Sequence, residues 1–137
     1  MPLPKQQTYT IEDIYALPDG ERAELIDGQI YYMAPPPRTH QRIVTELTTI
    51  INEYIKKKDG ECEVNVSPFA VFLDSLKDED KNYVEPDISV ICDKDKLDDK
   101  GCHGSPDWVI EVVSPSSRKL DYGRKQALYL ENSVREY

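Results

Sequence analysis

The chain reads as one mixed α/β domain, and three observations predict this. Asp27-Gly28 sits between apolar runs, the strongest short-range signal for a β-hairpin, because both turn positions need positive φ. A stretch from Thr39 to Lys57 repeats apolar residues at helical spacing. After it come three short β-rich runs and a second helical segment, so strands and helices alternate in one chain. At 137 residues the chain is long enough for a single domain with a real core.

The elements follow in order. Thr10, with Asp13 three residues on, is an N-cap signal that opens a short helix over Ile11–Leu17. Pro18-Asp19-Gly20 ends it. Arg22–Met33 is the hairpin, and Pro35, Pro36 and Pro37 then break the chain. The long helix over Thr39–Lys57 carries a stripe of Ile43, Val44, Leu47, Ile50, Ile51, Tyr54 and Ile55, expected to pack on the sheet. Lys56, Lys57 and Lys58 suit the negative end of its dipole, and Gly60 suits its stop. Strands are predicted at Cys62–Leu73, Asp87–Cys92 and Asp107–Val113. Pro68 marks an edge, a bulge or a strand end in the first of these. The polar stretches Asp74–Glu85 and Asp93–Pro106 read as loops. A second helix starts near Ser117–Lys119 and runs to Asn132, and Val134–Tyr137 reads as the opening of another strand.

Composition narrows the class. No stretch is long and apolar enough to span a membrane, and the N-terminus lacks the charged-then-apolar layout of a secretory signal. Cys62, Cys92 and Cys102 are odd in number and widely spaced, so reduced thiols and a cytoplasmic location are expected. The formal net charge of −9 argues against a general nucleic-acid binder, which would carry a basic face. Much of that acid lies in mixed-sign segments such as Lys77–Lys81 and Asp93–Lys100, which read as solvated loops.

Two carboxylates lie where the pattern is otherwise apolar. Asp87 opens the PDISVI run, and Glu111 sits inside DWVIEVV. A buried carboxylate needs a compensating charge, hydrogen bonds or a metal ion. Two on successive strands suggest one shared oxygen-rich site of the kind Mg²⁺ prefers. Asp121, Lys125 and Tyr129 are spaced i, i+4, i+8 on the last helix and share a face. They make either a surface ion pair or a group that reaches Glu111 and Asp87. Glu24, within AELIDGQI, either faces solvent by alternation or adds a third acid. His40 near the start of the long helix reads first as a capping or packing residue. Cys102-His103 lacks a second pair at ligand spacing, so zinc is not expected.

Taken together, ELIDG at Glu24–Gly28, His40 opening a long helix, PDISV at Pro86–Val90, WVIEVVSPSS at Trp108–Ser117, and Asp121, Lys125 and Tyr129 resemble the Uma-two family. That family belongs to the PD-(D/E)XK nuclease superfamily, and the resemblance covers residues 9–137. It implies a restriction-endonuclease-like core: a central mixed sheet flanked by helices, plus the N-terminal hairpin. The superfamily motif maps onto Pro86-Asp87 and Glu111-Val112-Val113. Val113 stands where the superfamily lysine belongs, and the resemblance implies that Lys125 replaces it.

The resemblance further implies a catalytic set of Glu24, Asp87, Glu111 and Lys125. Asp121, Tyr129 and His40 support it. Asp87, Glu111 and the Val112 carbonyl, with Glu24 as a further candidate, hold Mg²⁺ or Mn²⁺. The implied reaction is hydrolysis of DNA phosphodiesters by an endonuclease, acting as a homodimer. Relatives continue past the position of Tyr137 into a strand, so the chain is expected to lack a C-terminal strand and to expose a sheet edge. The alternative is a catalytically silent dimerisation or interaction module, which the acidic charge favours.

Overall fold

The computed structural model describes residues 2–75, 81–115, 117 and 120–137. The chain enters through helix α1 (Ile11–Tyr15), where the Asp13 carboxylate accepts the Thr10 backbone N–H at 2.9 Å. Strands β1 (Ala23–Ile26) and β2 (Gln29–Tyr32) form the expected antiparallel hairpin. Asp27 and Gly28 have φ of 50° and 75°, the left-handed pair that a tight hairpin turn requires. Helix α2 (Arg38–Lys57) starts one residue before the position expected. Strands β3 (Glu63–Val66), β4 (Val71–Phe72), β5 (Tyr83–Val84), β6 (Ile88–Ile91), β7 (Leu97–Asp98), β8 (Gly101–His103) and β9 (Trp108–Ile110) follow. A turn of π-helix over Asp121–Lys125 leads into α3 (Gln126–Glu131).

The fold is mixed α+β, with two sheets. The larger has six strands in the order β2-β1-β5-β4-β8-β7, antiparallel except between β4 and β8. The smaller is the antiparallel β3-β6-β9, with α2 packed along β3. Alternation along β1 explains two separate cores. Ala23 and Leu25 face a cluster with Ile11, Ile14, Phe72 and Tyr83. Ile26 faces the main cluster, which includes Val84, Ile91, Val109, Leu128 and Tyr129. Glu24 shares the face of Ile26.

Several expectations are corrected. The Cys62–Leu73 run is two strands in different sheets, parted at Pro68, whose ring cannot donate to a ladder. The expected loops contain β5, and β7 with β8. These strands are only two or three residues long, too short for an alternating pattern to show. The expected 74–85 loop includes residues 76–80, and the expected helix start includes 118 and 119, all outside the described residues. The strand predicted over Asp107–Val113 ends at Ile110, so Glu111 lies just beyond it.

The stripe on α2 is narrower than its sequence suggests. Val44 is buried and Leu47, Ile51 and Ile55 are half-buried, but Ile43, Ile50 and Tyr54 are exposed. Nor are all three thiols reduced. Cys62 and Cys92 form a disulfide, because the β3–β6 register that pairs Glu63 with Ile91 sets them opposite each other, 4.0 Å apart at Cα.

The burial pattern yields a test. Ile88 is fully buried, and Ile88→Ala is expected to destabilise the fold by about 2–5 kcal/mol. Leu130→Ala, on the exposed face of α3, is expected to change it by less than about 0.5 kcal/mol. Urea unfolding of the two variants checks the contrast, and similar losses in both would contradict the packing described.

Candidate active site

The β6–β9 ladder brings two of the acids together. Ile88 pairs with Ile110 in antiparallel register, so Asp87, just before β6, and Glu111, just after β9, are next in line. The ladder stops there, and side chains take over the backbone amides. The Val112 N–H donates to Asp87 Oδ2 at 2.7 Å. Across the seam between the sheets, the Glu85 N–H donates to Glu24 Oε2 at 2.8 Å. The residues Glu85-Pro86-Asp87 carry the chain from β5 in one sheet to β6 in the other.

Lys125 ties the parts together. Its ammonium lies 2.8 Å from Glu24 Oε1, 3.0 Å from Glu111 Oε1 and 3.8 Å from Asp121 Oδ1. All four of these side chains are almost fully buried. The Tyr129 hydroxyl donates at 3.0 Å to Glu111 Oε1, the oxygen that Lys125 also holds. The Tyr137 hydroxyl donates to the Asp121 carbonyl at 2.6 Å. His40 lies with Nε2 3.1 Å from Asp87 Oδ2, so its position is set by the site and not by a helix cap. Val113 is exposed and points away from this work.

A cleft of about 810 Å³ is lined by Glu24, Asp87, Glu111, Val112, Asp121, Lys125 and His40. The structure therefore brings the sequence-predicted set to one cavity, with Tyr129 behind it. Arg22 and Glu85 also line it, and sequence reading passed them over. Arg22 donates through Nε to Glu85 Oε2 at 3.1 Å, and through Nη2 to the same oxygen and to Ser67 Oγ. Arg22 lies two residues before Glu24, a spacing that places both on one face of an extended chain. That was the signal available.

Burial shapes the charges. It pushes the Glu111 carboxyl up to about 8; the charges of Glu24 and Asp87 add to the rise, and Lys125 opposes it. Burial also raises Glu24, against the pull of Lys125 and the Glu85 amide. Burial by itself would lower Lys125, but Glu111 and Glu24 more than reverse this and hold it cationic. Tyr129 is raised by burial and then by Glu111, so its hydroxyl stays a donor. One ammonium thus lies between two carboxyl groups that burial drives toward their neutral forms.

The donor set is suited to a hard cation. Asp87 and Glu111 commit one oxygen each to protein partners and keep a second. Among the described residues, no group of three His, Cys, Asp or Glu side chains closes on a common point. Asp87 and Glu111 are the carboxylates that could hold a divalent ion here, with water filling the remaining positions, as Mg²⁺ accepts.

A family described as "Uma2: Putative restriction endonuclease" matches residues 11–137. An uncharacterized protein of Synechocystis sp. is 33% identical over 114 residues, covering 83% of this chain. This chain spans 57% of that relative's length. A crystal structure of a "putative nuclease belonging to DUF820" from Anabaena variabilis superposes with a TM-score of 0.68 at 22% identity. The match covers 90% of this chain and 68% of that one, and it bears on the fold.

The raised Glu111 carboxyl has a pH consequence. Its ordinary value is 4.5 and its folded value is about 8, so the folded state holds that proton more tightly. The stability this confers is complete below the unfolded value and is lost as pH rises through the folded one. Without divalent ions, stability relative to Glu111→Gln is therefore expected to fall from about pH 5 to about pH 9. Urea midpoints for both proteins across that range check it; parallel curves would contradict the assignment.

Proposed function

The chain belongs to the Uma2 family, and on that premise we propose that it is a metal-dependent endonuclease hydrolysing DNA phosphodiesters. The observation that carries this reading is the Lys125 ammonium, buried between Glu24 and Glu111 in a cleft that Asp87 also lines. A packing role alone gives no reason to bury three ionisable groups together beside an open cavity.

Charge supports the need for a cation. Among the described residues, the cleft lining carries six acidic side chains (Glu24, Glu53, Glu85, Asp87, Glu111 and Asp121) against three basic ones, Arg22, Lys56 and Lys125. A phosphodiester would meet net repulsion there. Asp87 and Glu111, with the Val112 carbonyl, would hold Mg²⁺ or Mn²⁺. When bound, the ion supplies Lewis acidity toward the phosphate oxygens and lowers the pKa of water.

The chain's own groups do the rest. Asp87, which lines the cleft, is pinned through Oδ2 by His40 and the Val112 amide. Tyr129 and Lys125 fix Glu111 in the same way. Glu24 orients the attacking water. In-line attack by water forms one P–O bond, gives up a proton to solvent and builds negative charge on the phosphate oxygens; the ester P–O bond then breaks and its leaving oxygen takes a proton from solvent. Lys125 stabilises that charge through a donor already in place. Asp121 helps hold the Lys125 stem in register one turn below.

The test combines cleavage and melting. With Mn²⁺ the protein is expected to nick DNA, and Lys125→Met to lower the rate by about 10²-fold or more. Lys100→Met, at an exposed position, should change little. Near-UV circular dichroism confirms folding, and Glu24→Gln supplies a second variant if Lys125→Met does not fold. Mn²⁺ should also raise the melting temperature. No cleavage together with no metal-dependent stabilisation would instead favour a silent interaction module.

Homodimerisation belongs to the same reading. Ile50 and Tyr54, exposed on α2, offer an apolar surface for it. Light scattering is expected to return twice the chain mass; a monomer at high concentration would remove this part.

A further inference from the structure

We propose that Arg22 binds a phosphate of the nucleic-acid backbone next to the scissile one, and so sets substrate affinity and register. This rests on the nuclease reading and extends it to a residue outside the reacting group.

Backbone geometry is the first support. The Met33 N–H donates to the Arg22 carbonyl at 2.8 Å, which continues the β1–β2 ladder one pair beyond Ala23–Tyr32. Arg22 is therefore extended and lies on the same side as Glu24. Two residues of strand separate them by about 7 Å along the chain, the scale of neighbouring phosphates on one nucleic-acid strand. A backbone lying along this edge, with one phosphate at Glu24 and Lys125, brings the next to Arg22.

Pre-organisation is the second. Glu85 Oε2 accepts from Nε and Nη2, and Ser67 Oγ accepts from Nη2 at 2.9 Å. Glu85 is itself fixed, since Oε1 accepts from the Tyr83 hydroxyl at 3.1 Å and its amide holds Glu24. Nε and both hydrogens of Nη2 are thus engaged, which leaves the two N–H groups of Nη1. With 41% of the side chain exposed and Arg22 lining the cleft, Nη1 is the part left for a ligand. A donor nitrogen held in place this way suits a phosphate oxygen.

Elimination is the third. Of the three Lys and Arg side chains lining the cleft among the described residues, Lys125 is buried and engaged by two acids. Lys56, in the last turn of α2, is a point charge on a rotatable stem. Arg22 is the solvated cation with a fixed direction. Because Glu85 balances its charge, its contribution is directional hydrogen bonding and not long-range attraction.

The experiment measures KM and kcat with Mn²⁺ on a DNA oligonucleotide the parent cleaves. It also measures Kd for the labelled oligonucleotide in Ca²⁺ by fluorescence anisotropy. Arg22→Gln is expected to raise KM and Kd about tenfold, while kcat stays within about twofold. Arg22→Lys keeps a cation on Glu85 but loses the fork, so it should recover only part of the affinity. If Arg22→Gln does not fold, Arg22→Lys decides alone, and parental KM and Kd in that variant would refute the assignment. A loss confined to kcat would also overturn it, since that would mark a distortion of Glu24 and Lys125. Unchanged KM and Kd in both variants, with an active parent, removes Arg22 and leaves the nuclease reading intact. A parent that neither binds nor cleaves any DNA overturns the nuclease reading, and this inference with it.

Discussion

The buried ammonium of Lys125 is the constraint from which the rest of the arrangement follows. A cation taken out of water needs an anion against it, and two anions taken out of water need the cation. Glu24 comes from the hairpin, Glu111 from the end of β9 and Lys125 from the π-turn before α3. Each element must arrive within about 3 Å of the others, or a charge is left buried alone at a cost of about 3–5 kcal/mol. The trio therefore ties the two sheets and the last helix together at one point.

That coupling falls at the seam between the sheets. Two of the chain's passages between the sheets meet near the site: from the small sheet to the large one at Ser67-Pro68, and back again at Glu85-Pro86-Asp87. Ladders end at these two crossings, and a ladder that ends leaves backbone amides without strand partners. Here the Glu85 and Val112 amides are given to carboxylates, Glu24 and Asp87. The seam thus solves a backbone problem and fixes two acids in a single stroke. It also leaves a cleft, because two sheets that part cannot fill the space between them with strand.

The position of the lysine has a local cause. Val113, next but one to Glu111, is exposed, so a side chain there would not look into the cleft. The π-turn widens the helix at Asp121–Lys125, a distortion often found where side chains are re-aimed for function. It brings Lys125 to Glu111 from the far side while Tyr129 reaches the same oxygen from the next turn. Two donors on one carboxylate oxygen keep it from swinging.

Much of this was legible in the sequence. Asp27-Gly28 dictated the hairpin, since few residues other than glycine, asparagine and aspartate tolerate a left-handed turn. The apolar repeat dictated α2, and the ordered motifs around Glu24, Asp87, Glu111 and Lys125 named the family. Tertiary structure decided what local pattern cannot encode. Alternation left the direction of Glu24 open, and burial of Ile26 on the same face settled it. The short strands β5, β7 and β8 exist because neighbours pair with them, not because their residues alternate. The Cys62–Cys92 bond depends on register between strands thirty residues apart. Arg22 and Glu85 gained a place in the cleft only when the hairpin met the seam. Local sequence sets which backbone shapes are cheap, but charge balance and register are sums over distant residues, and only the folded chain performs them.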